Sequence, residues 1–446
     1  MTRYKNKISL DTFIGRLQDR GSVILLDSQL PEHPAAEKTY LAARPKREIW
    51  TRGNDIWYRE NGEITRTETG DPWLAVSRFQ EQAGDWLFGY LGYDLKNHLE
   101  QLESVNPDEV GAPDLYMMVP GLLIEWKGNE WRVLRGSLTE RETVCRNREN
   151  DNRYRIENLQ PTVSSSTYRQ MVGTAKRNIV EGNYYEINLS HQMVGTFSGN
   201  TVALYWDMKQ AGPVPFGAFM YISLPGEEFS VCCASPERFL ARRGNLVFSQ
   251  PIKGTTRRGH SPEEDRELAE WLRNSEKNRA ENLMIVDLVR NDLGKIAVPG
   301  SVRVPHLFEI QSFSTVHQMV STVEANVTTQ QPFQQIKACF PMGSMTGAPK
   351  ISAMRSIDRL ENYRRGIYSG AIGYVTPGQN FDFNVVIRTA IIRGKKICYS
   401  VGGAVTSDSD AELEWEETLV KAKAITDAVE KDSSGVRLPV DTDAPE

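Results

Sequence analysis

Apolar residues fall in two rhythms along this chain. Over the first third they come in short runs bounded by turn residues, the pattern of strands. Such runs occupy 23–26, 48–50, 55–58 and 63–67 about the turn Glu60-Asn61-Gly62, then 113–119, 121–126 and 131–135. Residues 85–94 interleave aromatics with Gly89 and Gly92, as a strand does where another backbone packs closely. Residues 140–157 are charged and weakly apolar and read as a linker. We place there the boundary between an N-terminal region, 1–150, and a second region, 160–432.

The second region mixes strand and helix rhythms. Ser166 or Thr167 can cap a helix whose apolar stripe is Met171, Val172, Ala175, Ile179 and Val180, closed by Gly182. Strands are expected at 185–189, 219–223, 231–234 and 245–248. Ser261-Pro262-Glu263-Glu264 supplies an N-cap, an N1 proline and a capping-box acid for a helix carrying Leu268 and Leu272. A further helical run spans 279–288. Another helix, with Ile351, Met354, Ile357 and Leu360, follows the small-residue loop 343–350. Strands at 369–375, 381–390 and 396–400 and a helix over 410–430 complete the pattern. The polar, proline-containing stretch 433–446 reads as a disordered tail. Many strands and several helices without regular alternation predict an α+β fold. No period of a repeat protein is visible.

Composition narrows the function. The 446 residues are 39% hydrophobic and 25% charged, ordinary for a globular chain with a large core. A net charge of −5 without a basic block argues against nucleic acid or an anionic membrane as partner. The five cysteines are odd in number and scattered (145, 232, 233, 339 and 398), with no C-x-x-C spacing. They fit reduced thiols in a cytoplasmic protein without structural zinc. The polar start with Arg3, Lys5 and Lys7 does not resemble a signal peptide. No apolar run approaches the ~20 residues of a membrane span.

Four stretches carry candidate chemistry. In Ser249-Gln250-Pro251-Ile252-Lys253-Gly254-Thr255 a single lysine sits between a proline and a glycine. It is either a solvated turn lysine or, in a partly dry site, a nucleophile whose pKa is lowered by burial and nearby cations such as Arg257 and Arg258. Glu414, Glu417 and Lys421 share one face of the last helix. They form either a solvated acidic face or, with Glu281, a site for a hard divalent cation. The loop 343–350 is either a tight turn or an anion site at a helix N-terminus. Arg388 lies in an apolar run. It is either on a solvated face or buried and in need of an anion. His317 and Tyr368 read equally as satisfied core side chains.

Taken together these stretches resemble one family, the chorismate-utilising enzymes. The likeness is carried by Ser235-Pro236-Glu237-Arg238-Phe239, Pro251-Ile252-Lys253-Gly254-Thr255, Arg279-Ala280-Glu281-Asn282-Leu283, Gly343-Ser344-Met345-Thr346-Gly347-Ala348-Pro349-Lys350 and Glu414-Trp415-Glu416-Glu417-Thr418. They occur in family order from about Tyr168 to Glu430, with a looser match at Phe88-Gly89-Tyr90-Leu91-Gly92-Tyr93-Asp94. The resemblance implies large antiparallel sheets with helices packed outside and two intermingled halves.

It also implies roles. Lysine at 253, where anthranilate and isochorismate synthases usually carry alanine, points to the aminodeoxychorismate synthase branch. There Lys253 would attack C2 of chorismate and Glu237 would act as general acid, then base. Glu281, Glu414 and Glu417 would hold Mg²⁺. Arg388 and Tyr368 would bind the enolpyruvyl carboxylate, with His317, Ser344, Thr346, Gly402, Gly403 and Lys421 also at the substrate. Ammonia would come from a separate glutamine amidotransferase subunit. Leu25-Leu26-Asp27-Ser28 resembles a segment lining a tryptophan pocket in relatives, and reads equally as a plain core strand. Glu186 stands where amidotransferring members usually carry glutamine and water-adding members lysine. Asn278 stands where some relatives add a metal-site acid. The alternatives are an anthranilate synthase component I and a catalytically silent regulator that binds an aromatic ligand.

Overall fold

Strands from both ends of the chain hydrogen-bond into one another in the computed structural model. It describes residues 3–4, 10–30, 38–127, 130–139, 154–313 and 316–430. Val23–Asp27 lies between Thr39–Arg52 and Phe216–Leu224. Leu87–Leu91 lies between Leu115–Lys127 and Ala371–Val375. The two regions therefore share a continuous sheet, and all described pairings are antiparallel. Helices pack outside it, as the α+β expectation requires.

The helix Pro72–Ala83 illustrates the packing. The Asp71 carboxylate accepts from Trp73 N at 2.8 Å, Pro72 opens the first turn, and Gly84 closes it at φ 56°. Its buried face presents Trp73, Val76 and Phe79, and Trp73 meets Phe340 edge-on at 5.3 Å. Each such side chain contributes about 1.5–3 kcal/mol on leaving water. The sequence pattern missed this helix, as it missed Thr201–Ala211 and the hairpin of Arg303–Ser312 with Val316–Asn326.

Several boundaries move. Of the expected linker, 140–153 lies outside the described residues, but Tyr154–Pro161 is a strand paired with Glu186–Gly199, where Tyr154 stacks on Phe197. The tail 433–446 also lies outside them. The expected strands 113–119 and 121–126 are one strand, Leu115–Lys127, because Pro120 faces Pro45 and the two missing N–H groups fall at the same place in the ladder. The helix Ser165–Val180 is capped by Ser164, and Val180 is 84% exposed rather than part of the stripe.

The expected strand 381–390 is broken. Phe381–Asn384 pairs with Arg238–Arg243, whereas Thr389–Arg393 pairs with Glu227–Ser235. Between them Val385 N donates to Glu237 O and Val386 N to Gly370 O, and Arg388 takes φ 51°. Cys232, Cys233, Cys339 and Cys398 are buried free thiols. Among the described residues no helix is long and apolar enough to cross a membrane.

Candidate active site

Lys253 lies near the start of the strand Ile252–Arg257, where its pairing with Val316–Asn326 shifts register. Gly254 follows at φ 87°, and a Cβ there would stand 3.0 Å from the side chain of Asn278. Asn278 itself donates to Ser275 Oγ at 2.9 Å as part of a helix start. Lys253 is buried, and its Nζ donates to Glu186 Oε1 at 2.6 Å. Burial works to lower its pKa, but Glu186, with Glu281 and Glu237 beyond it, outweighs that and holds the ammonium above its usual range. The expected lowering by cations is therefore corrected. Arg258 is held by Asp265 at 2.7 Å and Arg257 by Glu264. Glu186 is buried too, and its second oxygen has no partner among the described residues.

Glu237 sits between two strands, fixed by its neighbour Arg238, whose guanidinium grips both oxygens of Asp382 at 3.0 Å and Gln250 Oε1 at 2.6 Å. Burial pushes its carboxyl up to about 7, against the pull of the Ser344 hydroxyl and Lys253. A carboxylic acid so placed is half protonated near neutrality and can serve as acid or base.

The loop 343–350 does not form an open anion cradle. Tyr185 N donates to Ala348 O at 2.7 Å and Asn188 N to Thr346 O at 2.9 Å, so the loop clamps the strand that carries Glu186. Gly347 has φ 142°, and a Cβ there would lie 2.1 Å from Glu186 O. Thr346 turns its hydroxyl inward to Met342 O at 3.1 Å, so it stabilises the loop rather than facing a ligand. Ser344 alone of the loop's hydroxyls meets a candidate catalytic group.

Of the acids of the final helix, Glu417 feels the charge of this lysine. Glu414 is buried; Oε1 accepts from Ser409 Oγ at 2.7 Å and Oε2 has no partner among the described residues. Burial raises its pKa. Glu417 is exposed and meets Lys421 at 2.6 Å, which outweighs desolvation and holds it low. Lys421 also donates to Gly402 O at 2.8 Å. Glu281 is raised by burial and feels the charges of Lys253, Glu186 and Glu417. Among the described residues these acids do not approach one another as metal ligands would. Yet Glu414 Oε2 is buried and unpartnered among the described residues, and it and Glu417 Oε1 both border Gly403, so these two carboxylates offer the oxygen donors a hard cation takes.

Arg388 is half-buried, and among the described residues no carboxylate or hydrogen-bond acceptor meets its guanidinium; burial depresses its pKa, with Tyr399 opposing. Tyr368 is buried, its hydroxyl among Ser369 and Ser190, with Arg365 over its ring at 5.9 Å. His317 has both ring nitrogens engaged, with Ser312 Oγ at 2.8 Å and Asp265 Oδ1 at 2.9 Å. It braces the start of the helix Pro262–Asn274, and none of its described contacts is with Lys253, Glu237 or the acids.

The family model for chorismate binding enzymes matches residues 22–427. Aminodeoxychorismate synthase component 1 of Escherichia coli is 32% identical over 438 residues, covering 94% of this chain and 96% of that protein. The chloroplastic aminodeoxychorismate synthase of Arabidopsis thaliana is 43% identical over 274 residues, and this chain spans only 29% of its length. The crystal structure of anthranilate synthase component I from Streptococcus pneumoniae superposes with a TM-score of 0.76 at 26% identity, covering 89% of this chain and 93% of that one.

Proposed function

This chain belongs to the chorismate binding enzyme family, and we propose that its own reaction is replacement of the C4 hydroxyl of chorismate by an amino group. The product would be 4-amino-4-deoxychorismate, for 4-aminobenzoate and folate synthesis. The observation that carries the reading is a buried lysine at 253 sharing a site with a carboxylic acid at 237 whose pKa is pushed up to about 7. Among the relatives, the Escherichia coli protein of nearly equal span bears the matching name.

The chain's residues account for each step. Lys253, as a free amine, bonds to C2; the double bonds shift and the C4–O bond breaks. Glu237 gives its proton to the departing hydroxyl, which leaves as water, because an allylic hydroxide leaves poorly unprotonated. Ammonia then bonds to C4, the double bonds shift back, and Lys253 departs from C2 with its electron pair. Glu237 takes the proton that the new C4 ammonium loses. Arg388 offers a half-buried guanidinium, unpaired among the described residues, to a substrate carboxylate, a contact worth more there than in water. Glu281, Glu414 and Glu417 would hold Mg²⁺, which when bound supplies positive charge for the other carboxylate of a dianionic substrate.

Ammonia would be delivered by a separate glutamine amidotransferase; the component 1 name of the relative supports a partner chain. A small cavity of about 60 Å³, lined by Asp27, Ser28, Tyr40, Pro215, Tyr374 and Asn384, adjoins the segment 25–28, and a tryptophan there would have to widen it. Asp27 there already accepts from Tyr205 at 2.9 Å and Lys209 at 2.7 Å.

The test is product identity. Chorismate, ammonium and Mg²⁺ should give 4-amino-4-deoxychorismate by mass spectrometry. Fluorescent anthranilate would establish the competing synthase, and no turnover would leave a ligand-binding regulator.

A further inference from the structure

The ion pair between Lys253 and Glu186 raises a problem that the reaction must solve. An ammonium has no lone pair and cannot attack carbon. Lys253 Nζ donates to Glu186 Oε1 at 2.6 Å, and that partner carboxylate is 1% exposed. Glu281 and Glu237 also favour the charged form of Lys253, and Glu417 feels its charge; Glu281 and Glu417 in turn meet Lys277 at 4.0 Å and Lys421 at 2.6 Å. Among the described contacts none of those three acids bonds to Nζ. Bulk water therefore is not the ready acceptor of the proton, and the one carboxylate in hydrogen-bond reach is Glu186.

Glu186 is also built to hold still. Its strand is clamped by the 343–350 loop through the Ala348 and Thr346 carbonyls, and Gly347 packs against its backbone. Its Oε2 is buried and without a partner among the described residues, so it can carry a proton without breaking an existing bond.

We infer that Glu186 is the catalytic base that takes the proton from Lys253, making the lysine nucleophilic inside the pair. This rests on the reading of Lys253 as nucleophile. The proton moves from Nζ to a Glu186 oxygen, converting ammonium and carboxylate to amine and carboxylic acid. Nζ then uses its lone pair to bond C2. When Lys253 departs as a neutral amine at the end of the cycle, Glu186 returns the proton. No proton enters or leaves the site in this exchange, so the step has no pH dependence of its own. A lysine without that partner must lose its proton to solvent, and then the rate rises tenfold per pH unit until its own pKa is passed.

The test is the rate at which full-length enzyme forms the Lys253 adduct, chorismate minus water, with Mg²⁺ and without ammonia, followed by intact-mass spectrometry across about pH 6 to about pH 9. The readout is the Glu186→Gln rate divided by the wild-type rate, because the Glu237 limb is common to both and cancels. We expect the ratio to be lowest, about a hundredfold down or more, at the acid end and to climb with pH. Glu186→Asp, which keeps a carboxylate, should be slower than wild type but hold a flat ratio; it also serves if the glutamine variant does not fold. A flat ratio in Glu186→Gln, or a climbing one in Glu186→Asp, overturns the assignment. A wild-type enzyme that aminates chorismate yet never carries the adduct overturns instead the lysine nucleophile on which it rests.

Discussion

A Cβ on Gly403 would stand 3.0 Å from Oε2 of Glu414, the buried oxygen without a partner, and 3.5 Å from Oε1 of Glu417. Glycine there keeps a gap open between the strand Lys396–Val405 and the final helix. The residue is in extended backbone, so Gly403→Ala adds crowding without backbone strain. The Mg²⁺ concentration for half-maximal activity should rise about tenfold or more, with thermal stability nearly unchanged. An unmoved midpoint in a Mg²⁺ titration removes this gap from a metal site.

Glu237 predicts a linked pair of pH effects. Its folded pKa, about 7, lies above the usual 4.5 because burial disfavours the charge. The stability of burying the neutral acid is therefore complete below the unfolded value and is lost as pH rises through about 7. Glu237→Gln should show little stability change at low pH and become relatively stabilised above neutrality, by at most about 3 kcal/mol. Its activity should fall by about 10²–10⁴. Denaturation curves at acid and mildly alkaline pH check the first point. Wild-type kcat/KM should lose activity above about 7, where the acid is ionised; absence of that limb removes Glu237 as proton donor.

The parts of the site differ in how much of them the sequence disclosed. Glu237, Lys253 and the acids of the last helix lie in long motifs, so resemblance located them without geometry. Glu186 was visible only as a departure, because its partner is 67 residues away and nothing in either strand's pattern says the two face each other. The break at 385–388 was hidden for a related reason. Both flanks are buried, but against different strands, and an apolar run does not record a change of partner. The helix Thr201–Ala211 had its N-cap in plain sight, Asn200 accepting from Val202 N at 2.9 Å, but its apolar residues do not keep to one stripe. His317 is put at the substrate by resemblance alone, and the contacts described for it are Ser312 and Asp265.

Arg388 should be a binding residue with little structural role. Its guanidinium is half-buried without an anionic partner among the described residues, so the folded chain gains nothing from its charge. Arg388→Met should leave thermal stability unchanged or higher and raise KM for chorismate by about a hundredfold, the loss expected for a desolvated carboxylate contact of about 3 kcal/mol. Unfolding of the variant together with unaltered chorismate affinity in any folded fraction would place the residue in the scaffold instead.

The cavity beside Asp27 and Ser28 predicts a ligand effect independent of catalysis. Tryptophan binding only the native chain should raise the melting temperature with concentration. Asn384 lines the cavity while donating to Phe216 O at 3.1 Å, so Asn384→Leu should abolish the shift. A melting temperature unmoved at millimolar tryptophan returns 25–28 to the role of a core strand and turn.

The decisive lysine variant has to be chosen with its partner in mind. Lys253→Ala leaves Glu186 as a buried carboxylate without its cation, since no other donor reaches it among the described residues. Removing one member of a buried pair costs about 3–5 kcal/mol, much of it from the charge left behind. The single variant should therefore melt well below wild type, and its inactivity alone would say nothing about covalent chemistry. Lys253→Met together with Glu186→Gln removes both charges and keeps similar volume, so it should recover most of the lost stability. That double variant should still bind chorismate through Arg388 and the acids, form no adduct, and retain at most the slow direct attack of ammonia that orientation and Glu237 permit. Wild-type amination by the folded double variant would remove Lys253 from the covalent role.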